Sequence, residues 1–277
     1  LKLPDNHWSR TIHQPVHSTS RNLYTYTDQD GYHIYTINQD KITHANLSKQ
    51  LNVTSQTSQS FKGDLTRIYW AEGNTYVYKK DFNLYYFDGH KESLLDKKIG
   101  DAVYNDGFVY YSIGKTFKSV NVKTVKAKTI QTFPSEIKTL DFEKDYGKIL
   151  LTTLNDDSQA TFYLGSIKDH DANFNKFATL TLGNKNISTA TYAVKNNSFY
   201  LFTMTVSSSG GGTSYSSSLE ELPLNQVTSG KVTELTEHPL LFEGYPGLST
   251  NEVYFSLTNN QPTILMDIDG RRTLRDT

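Results

Sequence analysis

The chain has 277 residues, with 28 Lys or Arg against 29 Asp or Glu, so its formal net charge of −1 shows no basic excess that would favour nucleic acid as a partner. It has no cysteine, which excludes disulfides, thiolate metal sites and a cysteine nucleophile. The mean hydropathy is −0.55, but 19 Tyr and 14 Phe supply enough large aromatic side chains to exclude a disordered chain.

The first predicted strands lie between residues 22 and 47. Residues 22–26 and 32–37 carry aromatic and β-branched side chains on either side of a polar turn at 28–31, and a third strand is predicted over 41–47. The polar segment 50–60 is predicted to be a connection. Short strands joined by tight turns therefore form the first of several similar units.

Five further units repeat this pattern. The clearest has a turn at Asp106 and Gly107, then the aromatic and aliphatic strand 108–111 and a partner strand at 117–122. The other strands are predicted at residues 65–70, 75–78, 84–87, 92–95, 137–142, 149–153, 161–167, 189–194, 198–202, 219–224, 253–257 and 263–268. No segment has a helical period, so the chain is predicted to be nearly all β.

Tight turns give the period of the repeat. The turn residues are separated by 42, 34, 40, 50 and 54 positions, and they are Gly31, Gly73, Gly107, Gly147, Asn197 and Asn251. Gly and Asn suit such turns because they accept a positive φ. A four-stranded propeller blade takes about 40–45 residues. The sequence therefore predicts an all-β fold, a single β-propeller domain over residues 1–277. Six blades of four antiparallel strands are favoured over five or seven.

The ends of the chain are predicted to close the ring of blades. Residues 1–20 are interpreted as a closing segment in which 10–16 supply the outer strand of the last blade, because closure leaves no long unpaired strand edge. Segment 207–218 is rich in Ser and Gly and is interpreted as a flexible loop inside a hairpin. The alternative for this segment is a recognition loop centred on Tyr215.

Metal and cofactor sites are not favoured. His7, His13 and His17 are the densest histidine cluster, but a metal site needs about three converging ligands, so they are interpreted as polar edge residues. Asp-rich turns at 28–31, 155–157 and 169–171 offer oxygen ligands to Ca²⁺, yet Asp and Asn also stabilise turns by bonding their own backbone. We therefore expect no cofactor, with Ca²⁺ at an Asp-rich turn as the alternative.

Signatures of catalysis are missing as well. The sequence contains no His-Glu-x-x-His and no Gly-x-Ser-x-Gly motif. The weak catalytic candidates are four acidic residues near the starts of predicted inner strands, namely Asp64, Asp101, Asp141 and Glu243. Convergence of these carboxylates at the mouth of the propeller channel would make the protein a carbohydrate-active hydrolase or lyase, which is the alternative hypothesis.

Two segments of the second unit carry a family resemblance. Ile68-Tyr69-Trp70-Ala71-Glu72 resembles a degenerate copy of the Tyr-Trp-Thr-Asp motif of six-bladed lipoprotein-receptor propellers, and residues 84–89 resemble the stretch that follows it there. From residue 22 to 270 the broader pattern is similar to bacterial extracytoplasmic propeller domains of unknown function and to TolB-like repeats. The resemblance implies six blades and a binding role, and no catalytic residue carries over from it.

These observations favour a non-catalytic binding or scaffold module that recognises a protein, a peptide or a cell-wall glycan through loops at one rim. We expect an extracytoplasmic location, secreted or anchored at the surface of a Gram-positive bacterium, because cysteine-free chains rich in Thr, Ser, Asn and Gln are common among exported proteins there. A membrane tether upstream of Leu1 is compatible with the first residue not being Met. We expect a monomer with no nucleic-acid partner, and interpret the five lysines of segment 115–128 as a solvated outer face.

Overall fold

The computed structural model describes residues 23–236, apart from 51, 145, 169–170, 196 and 210–211, together with 263–266 and 272–275. The secondary structure of these residues is nearly all β, as the sequence predicted. The predicted closing segment 1–20, the turn residue Asn251 and the predicted strand 253–257 lie outside the described residues. So does the catalytic candidate Glu243.

The strands of the first three sheets are short and follow one another through tight turns. The first sheet contains β1 Leu23–Thr27, β2 Tyr32–Asn38, β3 Lys41–Leu47 and β4 Val53–Ser60. The second contains β5 Leu65–Glu72, β6 Thr75–Lys80, β7 Asn83–Phe87 and β8 Glu92–Asp96. The third contains β9 Ala102–Asn105, β10 Phe108–Ile113, β11 Thr116–Asn121 and β12 Ala127–Thr132.

Longer strands build the fourth and fifth sheets. The fourth contains β13 Glu136–Glu143, β14 Lys148–Leu154, β15 Gln159–Lys168 and β16 Asp171–Thr181, and the later strand β20 Thr233–Leu235 pairs with β16 in parallel. The fifth contains β17 Asn186–Lys195, β18 Ser198–Ser209 and β19 Gly212–Pro223. A short helix, α1 Leu224–Thr228, follows β19, and β21 Thr263–Met266 pairs with β22 Arg272–Arg275.

The order of the strands identifies the fold class. In the first three sheets, strands that are consecutive in the chain are neighbours in the sheet. This up-and-down order, repeated from sheet to sheet, is how the blades of a propeller are built. The protein has the all-β fold of the β-propeller class that the sequence predicted.

The tight turns also lie where the sequence placed them. Within the described residues, Gly31, Gly73, Gly107, Gly147 and Asn197 all have a positive φ, between 55° and 141°. These are backbone conformations that glycine adopts without a steric penalty and that asparagine tolerates better than most residues. The turn positions that set the repeat are therefore confirmed for these five residues.

Three predictions of local structure were wrong. Segment 50–60 is not a mere connection, since most of it forms β4, which the Asn46 amide joins to β3 through a 2.8 Å hydrogen bond to the Ser55 hydroxyl. Segment 207–218 lies largely in β18 and β19, which pair in register from Ser198 with Pro223 to Ser209 with Gly212. Residues 224–228 form a short helix, although no helical segment was predicted. Strands β4, β18 and β19 include these polar segments because strand pairing satisfies backbone groups whatever the side chains are.

The described chain forms two compact units. The first contains the described residues up to Leu94 together with β21 and β22, and the second runs from Leu95 to the end of β20. The core of the first unit lies between the first and second sheets. Its buried side chains are Tyr35, Ile42, Phe61, Leu65, Ile68, Ala71, Tyr76, Tyr78 and Phe87.

The second unit has two cores, one on each face of the fourth sheet. One face packs Leu140, Ile149 and Leu151 with side chains of the third sheet. The opposite face packs Leu150, Phe162 and Leu164 with side chains of the fifth sheet. Neighbouring strand positions such as Leu150 and Leu151 therefore enter different cores, which explains the nearly continuous apolar run of β14.

The connections that leave an outer strand share a pattern that positions the candidate site. In two of these connections, the first residue after the outer strand is apolar and buried. These residues are Phe61 and Phe133. The N–H of each donates to a carbonyl of the preceding turn between the two middle strands, from Phe61 to Asp40 at 2.7 Å and from Phe133 to Lys115 at 2.8 Å. Each connection is thus fixed to the hairpin turn beside it.

Candidate binding site

One connection and one hairpin turn of the first unit hold each other in place. The N–H of Asp64 donates to the carboxylate Oδ1 of Asp81 at 2.9 Å, and the N–H of Asp81 donates to the Asp64 carbonyl at 3.0 Å. Gly63 has a φ of 127°, and a Cβ there would lie 2.4 Å from Asp81 Oδ2. Glycine suits this position because this φ strains any other residue, and a Cβ would also displace the Asp81 carboxylate. We call connection 61–64 and turn residues 81–82 the rim site.

Phe82 is the most unusual residue of the rim site. Asp81 and Phe82 are the two central residues of the turn between Lys80 and Asn83, and both have a positive φ, 49° and 63°. Such a two-residue turn favours Asn-Gly or Asp-Gly, because a bulky side chain in this backbone conformation costs about 1–2 kcal/mol. The Phe82 side chain is nevertheless 70% exposed. A strained and exposed aromatic ring has no evident role in folding.

The ring of Phe82 stands among charged side chains. Lys79 Nζ lies 5.9 Å from the centre of the ring, within reach of a cation–π interaction. Lys62, Asp64 and Asp81 of the rim site are exposed as well. Such a site offers one flat apolar surface for stacking, carboxylates that accept hydrogen bonds and an ammonium that donates them. It can bind a ligand without any chemical step.

Of the predicted catalytic residues in the described chain, Asp64 alone lies at the rim site, and its position is exposed. Asp101 is 8% exposed and serves the backbone: Oδ1 accepts from the Ala102 N–H at 2.9 Å, and Oδ2 accepts from the Leu140 N–H at 2.9 Å. Its own N–H donates to the Ser112 hydroxyl at 3.1 Å. Asp101 thereby joins the connection before the third sheet to β13.

Asp141 and Tyr215 have different surroundings from those that the sequence suggested. Asp141 is 8% exposed on β13, opposite Leu150 in the register with β14. It therefore points toward the face of the fourth sheet that meets the fifth. Tyr215 lies on β19 opposite Val206, in a strand and not in the predicted recognition loop. Both residues belong to the second unit, whereas the rim site lies in the first.

Asp-rich turns are stabilised by their own backbone. Asp28 Oδ1 accepts hydrogen bonds from the N–H groups of Asp30 at 2.8 Å and Gly31 at 3.2 Å. Asn155 Oδ1 accepts from the Gln159 N–H at 2.8 Å. Within the described ranges, no group of three or more His, Asp or Glu side chains is arranged to hold a metal ion. The turn at 169–170 and the histidines His7, His13 and His17 lie outside those ranges.

Two features of possible function were missed at the level of sequence. Phe82 was not singled out, although an aromatic residue beside Asp81 in a two-residue turn, where glycine is the usual choice, is a visible signal. The other is a contact between His33 and His44, which lie opposite Tyr26 and Tyr35 of the first sheet. The alternation of side chains along the strands and the turn at 28–31 set this register. The contact could therefore have been predicted by aligning the strands across the turn.

No protein-family model matches the sequence, and no curated protein matches it either. Among solved structures, the chain is similar to the dihydro-heme d1 dehydrogenase NirN in complex with DHE, with a TM-score of 0.52 and 13% sequence identity. This match covers 92% of the chain and 55% of NirN, so the chain spans about half of that protein. The likeness supports the β-propeller fold and carries no information about activity.

Two further solved structures are similar at lower scores. The extracellular domain of a one-component system from B. thetaiotaomicron has a TM-score of 0.47 and 12% identity, over 91% of this chain and 32% of that one. TolB from Agrobacterium tumefaciens has a TM-score of 0.46 and 10% identity, over 72% of this chain and 79% of that one.

In the described part of the chain there is no helix with the length and apolar character needed to cross a membrane.

Proposed function

We propose that the protein is a non-catalytic, extracytoplasmic binding or scaffold module that recognises a protein, a peptide or a cell-wall glycan through the rim site. The observation that carries this proposal is Phe82, a bulky ring held in a strained and exposed position. Strained backbone conformations persist where the surrounding structure enforces them, and they concentrate at sites of function. Loops on a rigid β scaffold are also where binding residues gather.

The build of the rim site supports recognition over catalysis. At the rim site, the carboxylate of Asp81 accepts a hydrogen bond from the Asp64 N–H, which holds the connection to the turn. Outside the rim site, the carboxylate of the catalytic candidate Asp101 accepts from two backbone N–H groups and so serves the fold. A preformed turn needs little backbone ordering on binding, which favours affinity. The flat face of Phe82 suits an apolar side chain or a sugar ring, and the exposed carboxylates suit hydroxyl and amide donors.

Location and partners are part of the same proposal. The cysteine-free, Thr- and Ser-rich composition supports an extracytoplasmic setting at a bacterial surface, with a membrane tether upstream as one means of attachment. The balanced charge supports the absence of a nucleic-acid partner. A monomer that needs no cofactor would suffice for a module of this type.

The substitution Phe82→Gly is expected to weaken binding strongly while leaving the fold as stable as before or more stable. It converts the turn to Asp-Gly, which relieves the backbone strain and offsets the lost contact with Lys79, for a net gain of about 0–1 kcal/mol in the free energy of unfolding. Denaturant unfolding measures the stability. An array of bacterial cell-wall glycans and extended peptides, probed with labelled wild-type and variant protein, measures the binding.

Val125→Gly is the matched control. Val125 is also an exposed apolar residue with a positive φ of 56°, and its side chain is 40% exposed, but it lies in the turn between β11 and β12 and not at the rim site. This variant should gain stability in the same way and keep every signal on the array. Equal loss of signal in both variants, or unchanged binding by Phe82→Gly, would show that the rim site is not the binding surface.

A further inference from the structure

A row of stacked rings lies on one face of the first sheet. Tyr26 stacks on His33 with centroids 4.2 Å apart and planes 8° apart, and Tyr35 stacks on His44 with centroids 4.0 Å apart and planes 10° apart. The Tyr35 hydroxyl donates to the Gly73 carbonyl at 3.2 Å. The rings of β1, β2 and β3 are thus tied to the turn between β5 and β6, within the same unit.

The two histidines also form a chain of polar contacts with Asp28. Asp28 Oδ2 lies 2.9 Å from His33 Nε2, and His33 Nδ1 lies 3.1 Å from His44 Nε2. An ionised carboxylate only accepts, so His33 Nε2 carries a hydrogen. The facing nitrogens Nδ1 and Nε2 then have room for one hydrogen between them. When both rings are neutral, His44 Nε2 carries this hydrogen and donates it to His33 Nδ1. When His33 alone is positively charged, its Nδ1 carries the hydrogen and donates it to His44 Nε2.

Two positive charges do not fit this geometry. If both rings were cationic, both facing nitrogens would carry hydrogens at 3.1 Å and like charges would meet in a buried place, since His44 is only 7% exposed. Burial, and then the charge of His33, lower the pKa of His44 to about 4. Although desolvation acts to raise it, the hydrogen bond from Asp30 and the charge of His33 hold the pKa of Asp28 below its ordinary value.

Apart from the Glu72 carboxylate, the other described groups around the pair are uncharged. Tyr26 and Tyr35 flank the rings from β1 and β2, and burial raises the pKa of both hydroxyls, so neither ionises below neutral pH. On β3 and β4, Asn46 and Thr57 are the positions opposite His33 and His44, and both are uncharged. From the facing sheet come the uncharged Tyr76, whose ring lies edge-on to Tyr35, and the carboxylate of Glu72, which acts on Tyr26.

We propose that Asp28, His33 and His44 form an acid-sensitive contact, in which the histidine pair holds at most one positive charge and uptake of a second breaks the His33–His44 contact and frees Tyr35 from the Gly73 turn. The contact loosens the first sheet against the second when the surroundings become acidic. It is independent of the rim site and of any ligand bound there.

The sign of the pH dependence follows from the lowered proton affinity of His44. The unfolded chain takes up a proton near the ordinary histidine value of about 6.5, and the folded chain resists until about pH 4. Stability contributed by neutral His44 is therefore complete above about pH 6.5 and is lost progressively as the pH falls toward 4.

The test compares the thermal midpoint of the full chain between pH 7.5 and 4.5 in three proteins. Wild type is expected to lose about 4–8 °C more than His44→Phe, which keeps a ring stacked on Tyr35 but binds no proton. His90→Phe, which removes an exposed histidine at residue 90, is the control and should follow the wild type. Identical profiles for wild type and His44→Phe would overturn the proposal.

A second measurement on wild type holds even if His44→Phe does not fold. Nitrogen-15 spectra of the imidazole rings follow the protonation of each histidine, and ring signals of Tyr35 report its contact with Gly73. We expect the Tyr35 signals to change with the same midpoint as the second protonation of the histidine pair. Protonation of both rings without any change at Tyr35 would show that no such coupling exists.

Discussion

Replacing Tyr192 with alanine is expected to lower the free energy of unfolding by about 3–5 kcal/mol, the usual cost of removing a large buried aromatic side chain. Tyr192 is fully buried on β17, stacks on Phe199 at 5.0 Å and meets the edge of Tyr146 at 6.2 Å. Its hydroxyl donates to the Lys148 carbonyl at 2.7 Å. The ring therefore joins the fourth and fifth sheets. Urea unfolding of the full chain measures the loss of stability.

Tyr192→Phe separates packing from hydrogen bonding. This variant keeps the ring and removes only the hydroxyl, so we expect a loss of about 1 kcal/mol. If alanine and phenylalanine cost the same, the ring would contribute nothing and the packing between these two sheets would differ from the structure described.

Replacing Asp101 with alanine is expected to cost about 2–3 kcal/mol, because a nearly buried carboxylate that accepts from the N–H groups of Ala102 and Leu140 disappears and leaves them without it. Asp101→Asn keeps only one of the two acceptor oxygens, so it satisfies one of these N–H groups and should lose only part of this stability. Denaturant unfolding of the two variants measures both losses.

The same pair of variants bears on the enzyme alternative. A catalytic Asp101 would tolerate both changes in stability, and often gain from them, because active-site residues are commonly selected against stability. Two variants as stable as wild type would therefore contradict the structural role assigned to Asp101 and would justify screening carbohydrate substrates.

Strands with a buried apolar face could be predicted from the sequence. Strands without such a face could not. The strands of the second sheet, and β10 and β11 of the third, lie within a few residues of their predicted places, since runs of buried aromatic and aliphatic side chains around Val77 and Tyr110 mark them. In β4 every residue except Gln59 is exposed, so no apolar pattern marks it. Backbone pairing with β3 creates this strand, and pairing between distant residues leaves no local signature.

The Ser- and Gly-rich hairpin was missed for a related reason. Composition predicted a loop, because Ser and Gly bury little apolar area. However, Val206 lies opposite Tyr215, and the register continues to Ser209 and Gly212 beyond them. A hairpin already begun by the apolar residues of β18 can extend through polar ones, since each added pair satisfies backbone groups.

The candidate site was the least predictable part. The sequence predicted a binding site on the rim loops but did not single out Phe82. The signal for it is a phenylalanine at a position of a two-residue turn where glycine is the usual residue. The acidic candidates were chosen for their position at strand starts. In the structure, Asp101 accepts a hydrogen bond from β13, and the Asp64 N–H donates one to Asp81. These contacts join strands and turns that are apart in the sequence, so a position at the start of a strand does not reveal them.

The most direct test of the proposed function is titration of the tightest-binding glycan or peptide from the array into wild type, Phe82→Gly and Val125→Gly. If the rim site is the binding surface, Phe82→Gly should raise the Kd at least about tenfold, a loss of about 1.4 kcal/mol or more, and Val125→Gly should match wild type. A Kd for Phe82→Gly equal to that of wild type would contradict the account, because the strained ring would then have no part in recognition.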